Sequence, residues 1–518
     1  MLKIFKRLLF ISTVSLFAGC DKDFVEINTN PYAINDIDPA LLFAGAQRTH
    51  VGNWTAEHTI VQQFVTPYNQ GATLGFSFNA DIDINSNPKW GEYNSNIKNL
   101  IQALVVLGPT TTRVNLKSMI RIWKAQVFMG MVDAYGDVPY SEAGKAVSDV
   151  NFYPKYDDDA AIYADLYKEL KEAIAALSTS ADFVPEDLFY GTKAQPSTST
   201  ATAAAQVAKW KKLGNSLMLR LGMRYSKLDA AKAQAIVAEA FAGGVMTSNA
   251  DNAHVKYDGT LYTQGDNAAL RNFSHFNYAA EPFVNQLKST NDPRGKFIVA
   301  NFANPGNVAA TTPLPDTVLA NQFGVPIGVE NTAVPRGTRG AGLNYSQVNV
   351  WTVAAPNAPE FWVTYAQTSL LLAEAAKRGW VPGSDAQAKI YYDNGIIADM
   401  DAYLLYPGTT AISASDKTAY LAHPLVAYNA TDAIKLINTQ YWVVCIRNGT
   451  EAFANFRRTG FPALTPNPVR GVLGTTEDFV RRLSYPDAEA SANTANYNAA
   501  KAAIGDDKLS TRVFWDKK

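Results

Sequence analysis

Apolar residues recur at intervals of three and four along much of the chain, which is the pattern of amphipathic helices. The clearest apolar stripe, in the segment 115–135, consists of Met119, Ile122, Trp123, Val127, Met131 and Val132. The same spacing predicts further helices over 98–107, 160–177, 207–228, 230–241, 361–377, 384–399, 432–446 and 451–457.

Several of these predicted helices follow one another across a short turn. The segment 230–241 stops just before Gly243-Gly244, and the segment 361–377 stops at Arg378-Gly379, so each has a stop signal at its end. Antiparallel helix pairs of this kind form helical hairpins and solenoids. Because no regular repeat of about 34 residues is visible, the pattern alone predicts helix pairs and no named repeat.

Long segments rich in Asn, Gly, Pro and Thr separate the helices, at roughly 66–95, 180–205, 245–275, 300–350 and 403–430. Loops of this length are more often functional or disordered than plain connectors. Alternation of apolar and polar residues over 344–353 predicts one short strand. We therefore expect a mainly α fold, in which helix pairs form a scaffold and long loops with a few short strands carry the ligand site.

Composition narrows the class of ligand. The 518 residues include 46 Lys and Arg against 47 Asp and Glu, which argues against a protein that coats nucleic acid. Charged residues make up only 18%, below the usual share of about 25%. Tyr and Phe are abundant, with 25 of each, and there are 9 Trp. A chain of this kind favours neutral, polar ligands that are recognised by ring faces.

The first twenty residues have the layout of an export signal. A cationic start and an apolar run over 8–17 are followed by the small pair Ala18-Gly19 and then by Cys20. Ten apolar residues are too few to cross about 30 Å of hydrocarbon as a helix, so the segment 1–19 is read as a removable signal peptide. No later segment approaches about 18 apolar residues, and we expect no transmembrane helix after the signal.

The sequence Leu16-Phe17-Ala18-Gly19-Cys20 resembles the lipobox of bacterial lipoproteins, although Phe17 stands where Leu is usual. We expect Cys20 to carry the lipid anchor, palmitate included, and 20–518 to form one globular domain. An ordinary signal peptide with an incidental cysteine is the alternative. Only Cys445 then remains, so no intramolecular disulfide is expected, and its apolar surroundings predict a buried side chain.

Five blocks of sequence resemble the SusD/RagB family of outer-membrane nutrient-binding lipoproteins, in its branch with the Tyr-Gly-Asp-Val-Pro-Tyr turn. In chain order they are Tyr135-Gly136-Asp137-Val138-Pro139-Tyr140, Trp210-Lys211-Lys212-Leu213-Gly214-Asn215-Ser216-Leu217, Asn291-Asp292-Pro293-Arg294, Leu372-Ala373-Glu374-Ala375 and Arg481-Arg482-Leu483-Ser484-Tyr485-Pro486. In the first block, Gly136 can take a positive φ and Asp137 can bond backbone amides. Arg220 and Arg224, one turn apart, are expected to pair with carboxylates across helices.

The resemblance implies four tetratricopeptide-type helix pairs and a variable loop portion that carries the ligand site. It also implies a cell-surface position in the outer membrane, facing the exterior, and a SusC-like TonB-dependent transporter as the partner that receives the nutrient. Asp21 and Asp23 resemble the acidic export tag of such lipoproteins, although a fuller acidic run is missing.

Motifs for catalysis or cofactors are not found in the sequence. None of the five histidines lies in a metal-ligand spacing, and neither a nucleophile elbow nor a phosphate loop occurs. The glycine-rich segment 335–342 is interpreted as a mobile loop. The spacing Asp81, Asp83, Asn85, Asn87 and Glu92 loosely fits a calcium loop, but Ser86 stands at the glycine position, so we favour a solvated turn. We therefore predict no enzyme, no cofactor and no metal.

Aromatic residues within the predicted loops are the candidates for ligand contact, because flat rings can stack on sugar faces or accept peptide side chains. The main candidates are Trp54, Tyr68, Phe76, Trp90, Tyr93, Tyr262 and Phe273, with Phe78, Phe276 and Tyr278 as further members of the same two segments. Asn79, Asn272 and Gln264 are candidates for neutral hydrogen bonds beside them.

Two classes of function fit these patterns best. The first is a surface lipoprotein that binds oligosaccharide or peptide nutrients for import. The second is a lipid-anchored, glycan-active hydrolase on a helical framework, and a helical assembly scaffold is a third possibility. The first is favoured mainly by the family resemblance, which leaves the identity of the nutrient open.

Overall fold

Helices dominate the part of the chain that the computed structural model describes, which comprises residues 37–50, 56–65, 81, 83–146, 148–194, 201–272, 278–304, 307–328, 345–469, 471–474 and 477–518. The chain divides into the units Met1–Asp38 and Pro39–Lys518, and every element named below lies in the second. Of the helices in these described ranges, the first nine are α1 (Pro39–Arg48), α2 (Ala56–Ile60), α3 (Asp83–Trp90), α4 (Lys98–Leu107), α5 (Val114–Tyr135), α6 (Asp159–Ala176), α7 (Ala203–Arg224), α8 (Ala230–Gly243) and α9 (Gly265–Asn272). The others are α10 (Glu281–Ser289), α11 (Gly295–Ile298), α12 (Tyr365–Lys377), α13 (Ser384–Ala402), α14 (Ala414–Leu421), α15 (Ala433–Val444), α16 (Gly449–Thr459), α17 (Asp487–Ala492) and α18 (Thr494–Ala503).

The strands are short and all pair antiparallel. They are β1 (Phe64–Val65), β2 (Val138–Pro139), β3 (Tyr156–Asp157), β4 (Ala253–Val255), β5 (Tyr278–Ala279), β6 (Val299–Ala300), β7 (Gln347–Val348) and β8 (Glu360–Val363). One four-stranded sheet has the order β1-β5-β7-β6, and β2-β3 and β4-β8 form two-stranded sheets. Strand β7 lies within the predicted strand segment 344–353, which confirms that prediction.

Within the described residues, four helix pairs form the scaffold, the number that the family resemblance implies: α5 with α6, α7 with α8, α12 with α13, and α15 with α16. Their shared core contains fully buried indoles, among them Trp123, Trp210 and Trp362. Helices α6 and α7 pack closely at Gly214, which has no side chain. A Cβ at this position would lie only 2.6 Å from Cγ1 of Ile174. The mainly α fold with helix pairs and a few short strands is therefore confirmed.

The turn after α5 is built as its sequence predicts. Gly136 ends the helix with a φ of 77°, a conformation that glycine adopts without strain. A carboxylate oxygen of Asp137 then accepts a hydrogen bond of 2.9 Å from the amide of Asp159. Asp158 caps α6 by accepting a bond of 2.8 Å from the amide of Ala161. These bonds join the end of α5 to the start of α6.

Two buried arginines connect the helix pairs, as predicted. Nη2 of Arg224 lies 2.6 Å from Oε2 of Glu451 and 3.1 Å from Oδ2 of Asp133, on two other helices. Nε of Arg220 lies 3.4 Å from the same Glu451 oxygen, and its Nη2 donates to Gln367. Arg220, Arg224 and Glu451 are all at least nine-tenths buried, so these charges hold α5, α7, α12 and α16 together.

The predicted helix over 361–377 is wrong in its first residues. Phe361, Trp362 and Val363 belong to β8, which pairs with β4. Bulky aromatic and β-branched residues favour a strand, and their buried partners decide the structure. The helix begins only after Thr364, whose side chain accepts from the amide of Gln367 in a capping box.

Three of the predicted loops contain α-helices, and one of these is the segment 245–275, which includes α9. The segment 66–95 includes α3 and a π-helical turn, Tyr93–Ile97, although Pro88 lies inside α3. Packing overrides weak helix propensity there, because Lys89 and Glu92 are buried in the body of the protein. The segment 403–430 includes α14, which begins where the Ser413 hydroxyl accepts a bond from the amide of Asp416.

Candidate ligand-binding face

A tight turn holds two large side chains in solvent. One carboxylate oxygen of Asp258 accepts hydrogen bonds from the amides of Thr260 (2.7 Å) and Tyr262 (2.8 Å). In return, the amides of Asp258 and Gly259 donate to the carbonyl of Tyr262, and Gly259 has a φ of 78°. Leu261 is 87% exposed and Tyr262 is 53% exposed. The turn is thus fixed by its own hydrogen bonds while it exposes an aliphatic and an aromatic side chain.

The exposed tyrosine faces the end of the first helix. The guanidinium carbon of Arg48, the last residue of α1, lies 5.2 Å from the centre of the Tyr262 ring. Such an exposed cation–π contact contributes about 0.5–1 kcal/mol. The Tyr257 hydroxyl lies 3.4 Å from the Arg48 carbonyl and donates to Glu360 at 3.0 Å. Tyr257 therefore connects the end of α1 with the start of β8. We name Arg48, Tyr257, Leu261 and Tyr262 the Tyr262 face.

A buried acid supports this face. Burial raises the pKa of Glu360 to about 7, with the like charge of Asp266 adding to the shift and Arg447 opposing it. Gln264, predicted as a ligand donor, is instead buried, and its side-chain oxygen accepts from the amide of Asn267 at 2.7 Å. Glu360 and Gln264 are therefore buried residues whose hydrogen bonds stabilise the loop that carries the exposed side chains.

The side chains of this face are suited to binding a ligand. Tyr262 presents a ring face and a hydroxyl group, Leu261 presents apolar surface, and Arg48 presents up to five N–H donors. A flat, hydroxyl-rich ligand such as a sugar ring needs this mixture of apolar and donor groups. Sequence patterns identify Tyr262 but miss Arg48 and Leu261, although the turn residues Asp258-Gly259 are a signal that the next side chains are held outward.

Two other predicted contacts, Trp90 and Tyr93, lie in an aromatic cluster. Their ring centres are 4.9 Å apart, and Trp90 also packs on Tyr135, Tyr156 and Tyr485 at 5.0–6.1 Å. The Tyr93 hydroxyl donates to the Pro139 carbonyl at 2.7 Å. These contacts give both side chains a structural role, and ligand contact by them stays a prediction.

The remaining candidates are distributed differently. Tyr278 is buried in β5, with 1% of its surface exposed, and Asn272 ends α9. Outside the described residues lie Cys20, Trp54, Tyr68, Phe76, Phe78, Asn79, Phe273, Phe276 and the glycine-rich segment 335–342. Cys445 is buried as predicted: Gln367 donates to its sulfur at 3.4 Å, and burial raises the pKa of the thiol.

The residues that loosely fit a calcium loop are engaged otherwise where they are described. Nδ1 of His50 lies 2.7 Å from one carboxylate oxygen of Glu92, and Asn96 donates to the other at 2.6 Å. Burial lowers the pKa of His50, although Glu92 opposes that shift. Asp81 accepts from the Ser484 hydroxyl at 2.6 Å, while the side chains of Asp83 and Asn85 lie outside the described part. Glu92 is therefore committed to interior contacts.

Among the described residues, one group of three acids is compact enough to hold a metal ion: Asp137, Asp158 and Asp159, with oxygens within 4.8 Å of one another. Each has a structural task, since Asp137 and Asp158 bond the first turn of α6 and Asp159 accepts from the amide of Phe514 at 2.8 Å. Burial raises the pKa of Asp137 to about 6 and of Asp159 to about 7. The hydrogen bonds account for the cluster.

Among the described helices, none combines the length and apolar character that a membrane span requires.

Comparison with known proteins identifies relatives over most of the chain. The family model SusD-like_2, described as "Starch-binding associating with outer membrane", matches residues 31–486. A structure titled "chitin-binding protein" is 28% identical, with 93% of this chain and 100% of that chain covered and a TM-score of 0.76. One titled "Bacteroidetes AC2a SusD-like" is 24% identical, with the same coverage and a TM-score of 0.77.

A chitin-binding SusD homolog from Flavobacterium johnsoniae is 21% identical, with 93% of this chain and 95% of that chain covered and a TM-score of 0.71. At identities below 25%, the last two likenesses concern the fold alone. No curated protein sequence matches this chain significantly.

Proposed function

Because the chain belongs to the SusD-like family, whose members are binding proteins rather than enzymes, we propose that it binds oligosaccharides at the outer membrane. The family match spans residues 31–486, so it includes both the helical scaffold and the intervening loops. The same family membership argues against a lipid-anchored hydrolase. The family description, with its starch binding and outer-membrane association, supports a glycan as the nutrient.

The ligand contacts include the Tyr262 face. The observation that carries this assignment is the exposure of Leu261 and Tyr262 on a turn that is fixed by its own hydrogen bonds. Rings and side chains that are already ordered lose little conformational freedom when a ligand binds, which favours affinity. Trp54 and Phe273, close in sequence to Arg48 and α9, are proposed as further contacts.

Chito-oligosaccharides are the first ligands to test, since a relative with 28% identity carries the name chitin-binding protein. The full chain is titrated calorimetrically with tri- to hexasaccharides of N-acetylglucosamine, with the same lengths of glucose oligomers, and with neutral peptides. We expect a dissociation constant in the micromolar range, about −8 kcal/mol, for one saccharide series. Binding of peptides alone would replace the glycan with a peptide nutrient, and no binding at all would contradict the proposal.

The cell-surface role adds an anchor and a partner. Cys20 carries the lipid, palmitate included, which holds the chain at the exterior face of the outer membrane after the segment 1–19 is removed. A SusC-like TonB-dependent transporter receives the bound nutrient. The lipobox resemblance and the outer-membrane association of the family support this part of the proposal.

The anchor is tested by replacing Cys20 with Ala. We expect the native chain in the outer-membrane fraction with a mass increase from acylation, and the variant in the soluble fraction. Purification in mild detergent is expected to yield the native chain together with a barrel protein. An unmodified thiol at Cys20 in the native chain would contradict the anchor, and repeated isolation without a barrel would contradict the partner.

A further inference from the structure

A surface cleft of about 560 Å³ is lined by none of the residues of the Tyr262 face. Three stretches that are distant in sequence line it: the turn between α10 and α11, the segment 317–319, and α14 with the residues that follow it. Ligand sites in proteins commonly have volumes of about 300–1,000 Å³. The cleft is therefore large enough for a small ligand, and none of the predicted site residues line it.

A buried ion network fixes two walls of the cleft. Nη2 of Arg294 lies 2.6 Å from Oδ2 of Asp292 and 3.1 Å from the hydroxyl of Tyr420, which belongs to α14. Nη1 of the same guanidinium bonds Asp399 on α13 at 2.8 Å. Arg294 is fully buried and Asp292 is 2% exposed, so these charge-assisted bonds are strong. The turn and α14 are thereby held in a fixed relative position.

Hydrogen bonds to the backbone fix the third wall. Nζ of Lys288, on α10, donates to the carbonyls of Ala320 (3.0 Å) and Gln322 (2.7 Å). The side-chain nitrogen Nε2 of Gln322 donates to the carbonyls of Asp316 (2.9 Å) and Val318 (3.1 Å). The cleft is consequently preorganised on all sides, which lowers the entropic cost of binding.

The lining offers polar groups that the rest of the described structure does not use. Within the described residues, the side chains of Asn291, Lys296, Thr317 and Asp416 form no hydrogen bond and no ion pair. Nδ1 of His423 accepts a bond of 3.2 Å from the amide of Leu425, so the neutral ring carries its proton on Nε2 and can donate there. Donors and acceptors are thus both available.

Apolar groups complete the cleft. Pro293, Leu319 and Ala419 also line it and can contact the C–H face of a ring. A ligand that satisfies both sets of groups must carry donors, acceptors and apolar patches within a small volume, as hydroxylated sugar rings do. A purely apolar ligand would leave the Asp416 carboxylate and the Lys296 ammonium desolvated without partners, which is costly.

We propose that this cleft is a second oligosaccharide-binding site, separate from the Tyr262 face. The inference rests on the proposed function, because it assigns the same class of ligand to a second place on the chain. Asn291 and Thr317 bond sugar hydroxyls, Lys296 and His423 donate to ring or hydroxyl oxygens, and Asp416 accepts from hydroxyl groups.

The test is the number of trisaccharides bound per chain, measured by calorimetry on the full chain and three variants. Lys296→Ala/Asp416→Ala removes two cleft groups that form no hydrogen bond or ion pair in the described structure. The one contact that is lost besides is that of the Lys296 ammonium with the Phe297 ring, 5.0 Å from the ring centre, and thermal unfolding checks that the variant folds. Tyr262→Ala removes the first site. Asp432→Ala/Lys435→Ala is the matched control, because these residues are also an exposed Asp and Lys without described side-chain partners at the start of a nearby helix.

We expect two trisaccharides per wild-type chain and per control chain, and one for each of the other variants. The site lost in the cleft variant should weaken at least tenfold, while the remaining site keeps its affinity. A stoichiometry of one that Tyr262→Ala abolishes and the cleft variant leaves unchanged would overturn the second site and leave the proposed function intact. Absence of saccharide binding by the wild-type chain would instead contradict the proposed function and the second site with it.

Discussion

The guanidinium of Arg458 forms two parallel hydrogen bonds with the carboxylate of Glu374, 2.7 and 2.6 Å long, between α16 and α12. Both side chains are almost fully buried. Burial alone would raise the pKa of Glu374, but the charge and hydrogen bonds of Arg458 outweigh it and lower the pKa to about 2. The pair thus remains ionised inside the scaffold and joins two of the helix pairs.

Replacing Arg458 with Ala should reduce the free energy of unfolding by about 3–5 kcal/mol, because it leaves the Glu374 charge buried without its partner. Urea denaturation measures the loss. Arg378→Ala is the control, since Arg378 bonds the same carboxylate from a position that is 30% exposed. A more exposed ion pair contributes only about 0–1 kcal/mol. Equal losses in the two variants would contradict the assigned role of the buried pair.

Asp159 should make stability dependent on pH. Burial raises its pKa from 3.8 to about 7. A raised pKa means that the folded chain binds the proton more tightly, so the stabilisation is present at low pH and is lost as the pH rises towards 7. Asp159→Asn imitates the protonated form and can still accept from the amide of Phe514. Its stabilising effect should therefore grow by about 2 kcal/mol between pH 5.5 and pH 8.

Thermal or urea unfolding at both pH values measures this difference. Asp158→Asn is the control, because Asp158 is exposed and asparagine also caps helices well. Its effect on stability should be small and the same at both pH values. A constant effect of Asp159→Asn across this range would show that the carboxyl group titrates normally in the folded chain.

Gly222 should tolerate no side chain, because α7 and α8 approach closely there. A Cβ at this position would lie 2.9 Å from Cγ2 of Ile236 and 3.1 Å from Cγ2 of Val237. Gly222→Ala should lower the free energy of unfolding by about 1–3 kcal/mol through overpacking. Elsewhere in a helix the same change stabilises by up to about 1 kcal/mol.

The Ile236→Ala background tests the cause. If the clash is responsible, Gly222→Ala should cost much less there, and a double-mutant cycle should give a coupling energy above about 0.5 kcal/mol. Additive losses would contradict the clash. Denaturant unfolding of the four chains provides all the values.

The scaffold could be predicted from the sequence because the apolar residues of its helices are regularly spaced and glycine residues mark the ends of several helices. Gly136 marks the end of α5, and Arg220 and Arg224 lie one turn apart on a buried face. Prediction failed where tertiary contacts decide the local structure. The residues just before Thr364 form a strand because they pair with β4. Helix α3 forms although it contains Pro88, because the residue that follows this proline is buried in the body of the protein.

The candidate site was less predictable. Aromatic residues in loops identify Tyr262, but the same rule selects Tyr278, which is buried in a strand. Sequence cannot separate the two, since exposure depends on what other segments cover. The cleft beside Asn291 illustrates the same limit, because two of its walls, 290–296 and 416–423, are more than 100 residues apart and meet only in the folded chain.

The most direct test of glycan binding at the Tyr262 face is calorimetry of Tyr262→Ala with the saccharide that the wild-type chain binds best. Tyr153→Ala is the matched control, since Tyr153 is 65% exposed but belongs to a different loop. Loss of a stacking ring should weaken binding at this face at least tenfold, about 1.4 kcal/mol, while the control keeps the wild-type value. Unchanged affinity and stoichiometry in Tyr262→Ala would contradict the account.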